Sequence, residues 1–515
     1  MFQKLALMVL FLLPLHCAAQ VKTFQKIPGW GTFRGIHKTN SGEYIVAGTS
    51  GTLGNSQFGL TKLNDTGTVL WSFKYVVDGS SGAYAVTQTT DNGYAVVGKN
   101  NGTDAGASIV KTDSIGNVQW SIVSGTSIGD FFGQVVETPD SYLLLGGMCA
   151  SSGAGNQDFY IVKMNAAGQE VWTKTIGGVA TDLQFDLSRT SDDKYLLAGF
   201  TNSFGLGGGS GYLIKMDSSG TILWAKGYTG VSSWRSIIET DDHDYLLAGD
   251  VFDATGYSQA VIAKTDTSGN IKFAKAIGGL GLDRLLSVKQ VDANNYAFAG
   301  HAVVDTSGQT DVDAFLFKTD TAGMVHWMKT YGIGQNDYAA DLEVTDEKGY
   351  MMAGHSAATQ VTGKFYIVRT GPSGDAGCYT TIPSFVSQDI SVLVSNTTPI
   401  VTAGPVAHPF QVTATPVTTD STLCKNVILS INSAIAKNPP VIFPNPSYGE
   451  LYLQAEEEGS LEIYNTLGVQ VSAYTVNRGR NHLRLPGQLS SGVYIAVFRT
   501  KYDSQTHYSR IILNN

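Results

Sequence analysis

Residues 245–249 read Tyr245-Leu246-Leu247-Ala248-Gly249, and the same short phrase recurs along the chain with a Tyr followed four residues later by Gly. The other copies are Tyr44–Gly48, Tyr94–Gly98, Tyr142–Gly146, Tyr195–Gly199, Tyr296–Gly300 and Tyr350–Gly354, seven in all. Successive copies lie 48 to 54 residues apart, and the residues between Tyr and Gly are apolar every time. A fixed period of about 50 residues is the mark of a repeat architecture and takes precedence over any local motif.

The rest of each unit follows from the fifth. Ser233–Thr240 predicts a strand, Asp241-Asp242-His243-Asp244 a turn, and Tyr245–Gly249 a second strand. Ala260–Lys264 predicts a third strand, Asp266-Thr267-Ser268-Gly269 a tight turn and Ile271–Lys275 a fourth. Short apolar runs separated by Asp/Asn/Gly/Ser turns are the hairpin signal, and no stretch sustains a 3.6-residue period, so an all-β chain is expected.

Three further columns keep the same phase. A cation ends the third strand at Lys62, Lys111, Lys163, Lys215, Lys264, Lys318 and Arg369. An apolar residue marks the first strand at Ile36, Val86, Leu187, Ile237, Val288 and Leu342, while the third unit, one residue short at its turn, places Val135 there instead. An aromatic marks the fourth strand at Phe24, Trp71, Trp120, Trp172, Trp224, Phe273 and Trp327. Phe24 precedes the first complete unit, and no aromatic strand follows Arg369. The count closes if Val21–Lys26 completes the last unit, which removes the edge an open array would expose. Residues 20–374 are therefore expected to form a seven-bladed β-propeller of four-stranded blades, with an open solenoid as the alternative.

The strings Asp113-Ser114-Ile115-Gly116…Trp120, Asp217-Ser218-Ser219-Gly220…Trp224 and Asp320-Thr321-Ala322-Gly323…Trp327 resemble the tryptophan-docking repeat of quinoprotein-type propellers. The resemblance implies that these aromatics staple neighbouring blades. It covers the staple and not the cofactor site: the blade count is seven, not eight, and no adjacent cysteine pair is present. No cofactor is expected.

The termini carry different information. Lys4, the apolar run Leu5–Leu15 and Cys17-Ala18-Ala19 before Gln20 predict a cleavable signal peptide over residues 1–19, too short to span a bilayer. Residues 375–439 turn rich in Ser, Thr, Val and Pro and are expected to form a small β-rich connector, or else a flexible linker. In an exported chain Cys378 and Cys424, which flank this segment, are expected to pair, leaving Cys149 inside the third repeat. Closing that loop would stabilise by roughly 4 kcal/mol on a chain-entropy view.

From residue 440 to 515 the motifs Phe443-Pro444-Asn445-Pro446, Leu461–Tyr464 with Leu467-Gly468, Leu489-Ser490-Ser491-Gly492-Val493-Tyr494-Ile495 and Arg510-Ile511-Ile512 succeed one another in order. This resembles the type A C-terminal sorting domain of the type IX secretion system, with Arg510 where family members carry Lys. The resemblance implies an Ig-like sandwich, the secretion machinery as partner and a secreted or outer-membrane-attached product.

Composition excludes some functions. The 515 residues carry a net charge of −9 and only 15% charged residues, so no basic stripe for nucleic acid is present. No second hydrophobic span follows the signal segment, and a monomer is expected. Asp250, His301 and His355 each follow the second-strand Gly of consecutive units and so share one face. Adjacent sheets stand about 10 Å apart, too far for equivalent atoms to share an ion, so these read as loop positions or as part of a polar binding rim. Asp241, Asp242 and Asp244 lack the ligand run of a calcium loop. Gly205–Gly209 precedes a strand and cradles no phosphate. Gly125-Thr126-Ser127-Ile128-Gly129 fits a nucleophile elbow but lacks the helix that motif needs. No catalytic or metal residue is assigned. A non-enzymatic surface propeller acting in binding or adhesion is expected, with glycan as the first ligand class. A glycan-processing enzyme or lyase would need titratable groups converging at the channel mouth; a purely structural surface protein is the third reading.

Overall fold

The computed structural model describes residues 22–513 except 27–30, 52–55, 206–208, 253–255, 280, 307–308, 334–335, 358–363, 378–379, 418–421, 428–440, 444–449, 456, 466–469, 487–488, 490–491 and 501–505. The expected signal peptide, Cys378, Pro444, Asn445, Pro446 and Gly468 lie outside the described residues. The chain divides into a unit spanning Val21–Val427 and a second containing the C-terminal module.

All described regular structure in the first unit is β, in seven antiparallel sheets. Six sheets are built on consecutive quartets of strands at 31–76, 81–124, 131–177, 182–229, 233–278 and 284–331. The seventh contains 336–370 and takes the N-terminal strand Lys22–Lys26, which runs antiparallel to Lys364–Thr370 with Phe24 opposite Arg369. We call these blades 1 to 7. Blade 7 also touches blade 1: the Ile36 amide donates to Asp341 Oδ2 at 3.0 Å, and Phe33 stacks on Phe365 at 3.9 Å.

Every innermost strand carries a β-bulge at the same place, between residues 33/35, 83/85, 132/134, 184/186, 234/236, 285/287 and 339/341. The bulge presses a carbonyl onto the second strand, which explains the Gly column. A Cβ at Gly98 would fall 2.0 Å from Gly82 O, and one at Gly354 would fall 1.7 Å from Tyr338 O. In blade 3 this place belongs to Gly147, opposite Phe132, and Leu143 takes the register held elsewhere by Tyr44. The Tyr142–Gly146 copy is thus displaced by one residue from its structural equivalents.

The fourth-strand aromatics rest on the turn glycine of the next blade. A Cβ at Gly168 would meet the Trp120 ring at 2.9 Å, and one at Gly374 the Trp327 ring at 2.6 Å. Phe24 meets Gly67 in the same way across the junction of blades 7 and 1. Tyr75, Tyr228 and Tyr331 add hydroxyl bonds to the carbonyls of Gly116, Gly269 and Gly374. The cation column pairs with carboxylates of its own blade's first turn, as in Lys62–Glu43 at 2.6 Å and Lys111–Asp91 at 2.8 Å.

The blades have five strands, not the four expected. The fifth comes from residues 380–427, read from sequence as a separate connector or linker. This segment runs round the outside of the ring against the order of the blades. Thr380–Thr381 pairs with blade 6, Val386–Asp389 with blade 5, Leu393–Asn396 with blade 4 and Ile400–Ala403 with blade 3. Ala407–Pro409 then pairs with blade 2, Thr413–Pro416 with blade 1 and Thr422–Val427 with Lys22–Lys26 in blade 7. It covers seven outer edges that would otherwise offer unpaired N–H and C=O groups. Phe410, 7% exposed, anchors it in the core between blades 1 and 2, and its carbonyl accepts from Ser121 Oγ.

The C-terminal module has a three-stranded sheet (Val441–Phe443, Glu450–Ala455, Gly479–Arg484) and a four-stranded one (Gly459–Asn465, Gln470–Val476, Gly492–Thr500, Thr506–Leu513). Leu451, Leu453, Leu461, Ile463, Leu483, Tyr494 and Phe498 form its core, and Arg510 lies opposite Ile495.

Gly98→Ala is expected to cost about 2–4 kcal/mol in chemical denaturation, because the displaced carbonyl belongs to backbone and cannot swing aside. A change below 0.5 kcal/mol would show that the bulge does not require glycine.

Candidate functional site

The bulges aim two rings of side chains at the ring axis. The residue just past each bulge is Gly35, Ala85, Gln134, Asp186, Ser236, Ser287 or Asp341. All of these but Gly35 line, with Lys289, Glu343 and His37, an axial cavity of ≈240 Å³. Asp186 accepts from the amides of Leu187 and, in the next blade, Ile237, both at 2.8 Å. Asp341 does the same for Leu342 and Ile36, and also accepts from Ser287 Oγ at 2.8 Å. Ser236 Oγ lies 3.3 Å from the Val288 amide. These carboxylates satisfy amides at the bulges and tie blade to blade.

Burial pushes Asp186 up to about 6 and raises Asp341 as well. Burial opposes the charge on Lys289, yet Glu343, 3.1 Å away, together with Asp341 and Asp186 holds it well above the usual amine range. Each ionised group is engaged, so this inner ring is structural.

One residue earlier stand Arg34, Tyr84, Phe185 and Arg235, which with Phe131, Arg284 and Tyr338 and the second-strand residues Asp250, His301 and His355 form a collar to which every blade contributes. Arg34 of blade 1 sits over the Tyr84 ring of blade 2 at 4.8 Å, and Tyr84 packs on Phe131 of blade 3 at 5.2 Å. A Cβ at Gly133 would meet the Phe131 ring at 3.5 Å and the Phe185 carbonyl of blade 4 at 4.0 Å. Arg235 of blade 5 covers Phe185 at 4.6 Å and donates through Nε to Asp250. Arg284 of blade 6 approaches the same Asp250 oxygen at 3.6 Å. His301 meets Tyr338 of blade 7 edge-on at 5.0 Å, and His355 stacks on Tyr338 at 4.6 Å.

Asp250, His301 and His355 are therefore not decorative loop positions. Asp250 is 1% exposed and also accepts from Ser233 Oγ at 2.7 Å. Burial, reinforced by Arg284, Arg235 and His355, lowers His301 to about 3. Burial and Arg34 lower His355 to about 4. Both imidazoles are neutral at pH 7. Arg284 Nε, His301 Nδ1 and His355 Nδ1 are buried without a hydrogen-bond partner. The arginines and Tyr338 that complete the collar were not singled out from sequence. The signal for Arg34 and Arg235 was the column two residues before the apolar one, which also holds Tyr84 and Phe185; Arg284 and Tyr338 lie two residues earlier still, level with Phe131.

The remaining candidates do not converge. Asp242 pairs with Lys264, and Ser127 Oγ accepts from the Gly129 amide in an inter-blade loop. Among the described residues no group of His, Cys, Asp and Glu is arranged to hold a metal ion. Cys149 is buried as a free thiol, and Cys424 lies in the outer strand opposite Gln25.

Residues 441–514 match the family model described as a secretion system C-terminal sorting domain. The C-terminal module is thus a type IX sorting domain, and the protein is exported to the cell surface or beyond. No helix among the described residues is long and apolar enough to cross a membrane. No curated protein matches the chain. Similar solved structures include an ulvan lyase of polysaccharide lyase family PL25 bound to a glucuronate–sulfated rhamnose saccharide, at 12% identity over 68% of this chain and 96% of that one, with a TM-score of 0.47. Sqt1 from Chaetomium thermophilum matches at 11% identity over 70% and 92%, with a TM-score of 0.40. PorZ, a surface component of the type IX secretion system of Porphyromonas gingivalis, matches at 9% identity over 92% and 69%, with a TM-score of 0.27.

A neutral buried imidazole stabilises the fold above its unfolded pKa of 6.5 and loses that contribution as pH falls toward its folded value. His355→Phe, which keeps the stack on Tyr338, should therefore flatten the loss of stability between pH 6.5 and 4. The expected gain over the parent is about 2 kcal/mol at pH 4. Parallel stability curves for the two proteins would contradict this burial of His355.

Proposed function

We propose that this is an exported surface propeller that binds a saccharide chain at the collar, without breaking a bond in it. The carrying observation is the collar itself. All seven blades supply it, it stands at the ring axis, and it alternates aromatic faces (Tyr84, Phe131, Phe185, Tyr338) with guanidinium donors (Arg34, Arg235, Arg284). Aromatic faces with a few placed polar groups are what a saccharide site uses: rings pack on sugar C–H faces while donors fix the hydroxyls. The sorting module places this site outside the cell, where glycans are the abundant extended ligands.

A second reading is favoured by one specific observation. His301, Tyr338 and His355 form a contiguous titratable set at the collar, and a neutral imidazole can accept a proton. That set would serve a glycan-cleaving enzyme. Screening the mature protein on a glycan array and then assaying reducing-end or unsaturated product on each binding glycan separates the readings. Binding without product supports a receptor, product supports the enzyme, and silence in both assays removes the saccharide proposal. Arg34→Ala and Tyr84→Ala should each weaken binding about tenfold or more while leaving the thermal midpoint within a few degrees.

The outer belt also gives the expected cysteine pair a purpose. Thr380 pairs with blade 6 and Cys424 with blade 7, which are neighbours in the ring. A Cys378–Cys424 bond would thus join the two ends of the belt. Intact-mass measurement should find the protein lighter than its reduced form by two hydrogen atoms. Reduction or Cys424→Ser should lower stability by about 2–4 kcal/mol. A full complement of free thiols in the exported protein would remove the bond from this account.

A further inference from the structure

The collar has a charge imbalance that a neutral sugar leaves unused. Arg235 and Arg284 both face the single carboxylate of Asp250, so one of the two guanidiniums is uncompensated there. Arg34, exposed and lying over the Tyr84 ring, adds a second positive charge a blade away from His355. This surplus sits in a chain whose net charge is −9. The site's unmet hydrogen-bonding atoms point the same way. His301 Nδ1 and His355 Nδ1 are buried without a hydrogen-bond partner, and Arg284 Nε, also without one, has only the long 3.6 Å ion pair to Asp250, all on adjacent blades 6 and 7. Leaving such atoms unpaired costs free energy that a ligand group accepting from them would recover.

We infer that the collar is an anion site: it takes the carboxylate or sulfate group of an acidic saccharide against Arg284, His301 and His355, and binding draws a proton onto the imidazole pair. This deepens the saccharide reading and rests on the same collar. The charge arithmetic follows from the groups that face each ring. His301 faces Arg284, Arg235, His355, Asp250 and the Tyr338 ring, and His355 faces Arg34 and the other side of Tyr338. Asp337 and Asp311 act electrostatically on Tyr338. In the free protein, burial and the guanidiniums keep both rings neutral. An arriving anion cancels the guanidinium repulsion and itself favours an imidazolium, so the bound state holds more protons than the free one. Affinity must then rise as pH falls.

Calorimetric titration of the full mature chain tests this with four probes: a uronate oligosaccharide, a sulfated galactan oligosaccharide, its unsulfated counterpart and inorganic sulfate. Two buffers of different protonation enthalpy report the proton count. The acidic oligosaccharides are expected to bind at least about tenfold tighter than the neutral one. Their affinity should rise about tenfold between pH 7.5 and 5.5, within the limit of about tenfold per proton per pH unit. The two acidic arms tell carboxylate from sulfate. His301→Gln should abolish the pH slope, and Arg284→Gln should lose the preference for charge, with Arg284→Lys restoring part of it. Equal binding of neutral and acidic probes, or a pH-independent affinity with no proton uptake, overturns the anion inference and leaves the saccharide reading intact. Binding of inorganic sulfate with a His301-dependent slope, but of no saccharide, keeps the anion site and removes the saccharide reading. Silence of all four probes removes both.

Discussion

The molecule turns on one backbone irregularity repeated seven times. An unbroken innermost strand would alternate its side chains between the two faces of its own blade. The inserted residue interrupts that alternation, bends the strand and turns two successive positions toward the ring axis. One position supplies the caps that tie Asp186 to Ile237 and Asp341 to Ile36. The other supplies Arg34, Tyr84, Phe185 and Arg235 of the collar. The same distortion drives a carbonyl onto the second strand, so the invariant glycine and the axial chemistry share one cause.

Electrostatics then separates the two rings although they lie next to each other. In the inner ring every charge is answered by a backbone amide, a hydroxyl or an opposite charge, and the result is adhesion between blades. In the collar three guanidiniums meet one carboxylate, and two imidazoles are held neutral by burial and by those guanidiniums. A closed hydrogen-bond network holds a fold; an incomplete one at a solvent-reached mouth holds a place for something else.

The sequence made the ring legible and its dressing illegible, for physical reasons. The Tyr–Gly phrase, the cation column and the aromatic column each answer a requirement repeated in every blade, so they survive as periodic signals. Blade 3 shows the limit: Tyr142–Gly146 keeps the phrase, but Leu143 and Gly147 occupy the equivalent sites. The fifth strands escaped notice because each is only two to six residues long and their spacing is near seven, not fifty. Asp250, His301 and His355 could be placed on one face from their position after the glycine. Their partners Arg235, Arg284 and Tyr338 could not, because a bulge breaks the two-residue alternation by which a side chain's direction is read from sequence.

The belt relates to the blades as a hoop relates to barrel staves. It lies outside the finished cylinder, crosses each stave once and runs opposite to the order in which the staves were laid. Such a hoop can be seated only after the staves stand together, so its docking registers that the cylinder is complete. Its last strand, Thr422–Val427, grips Lys22–Lys26, the first strand made, and so holds the oldest and one of the newest parts of the barrel in a single seam. The sorting module begins only after that seam, so the hoop and all its staves precede it in the chain.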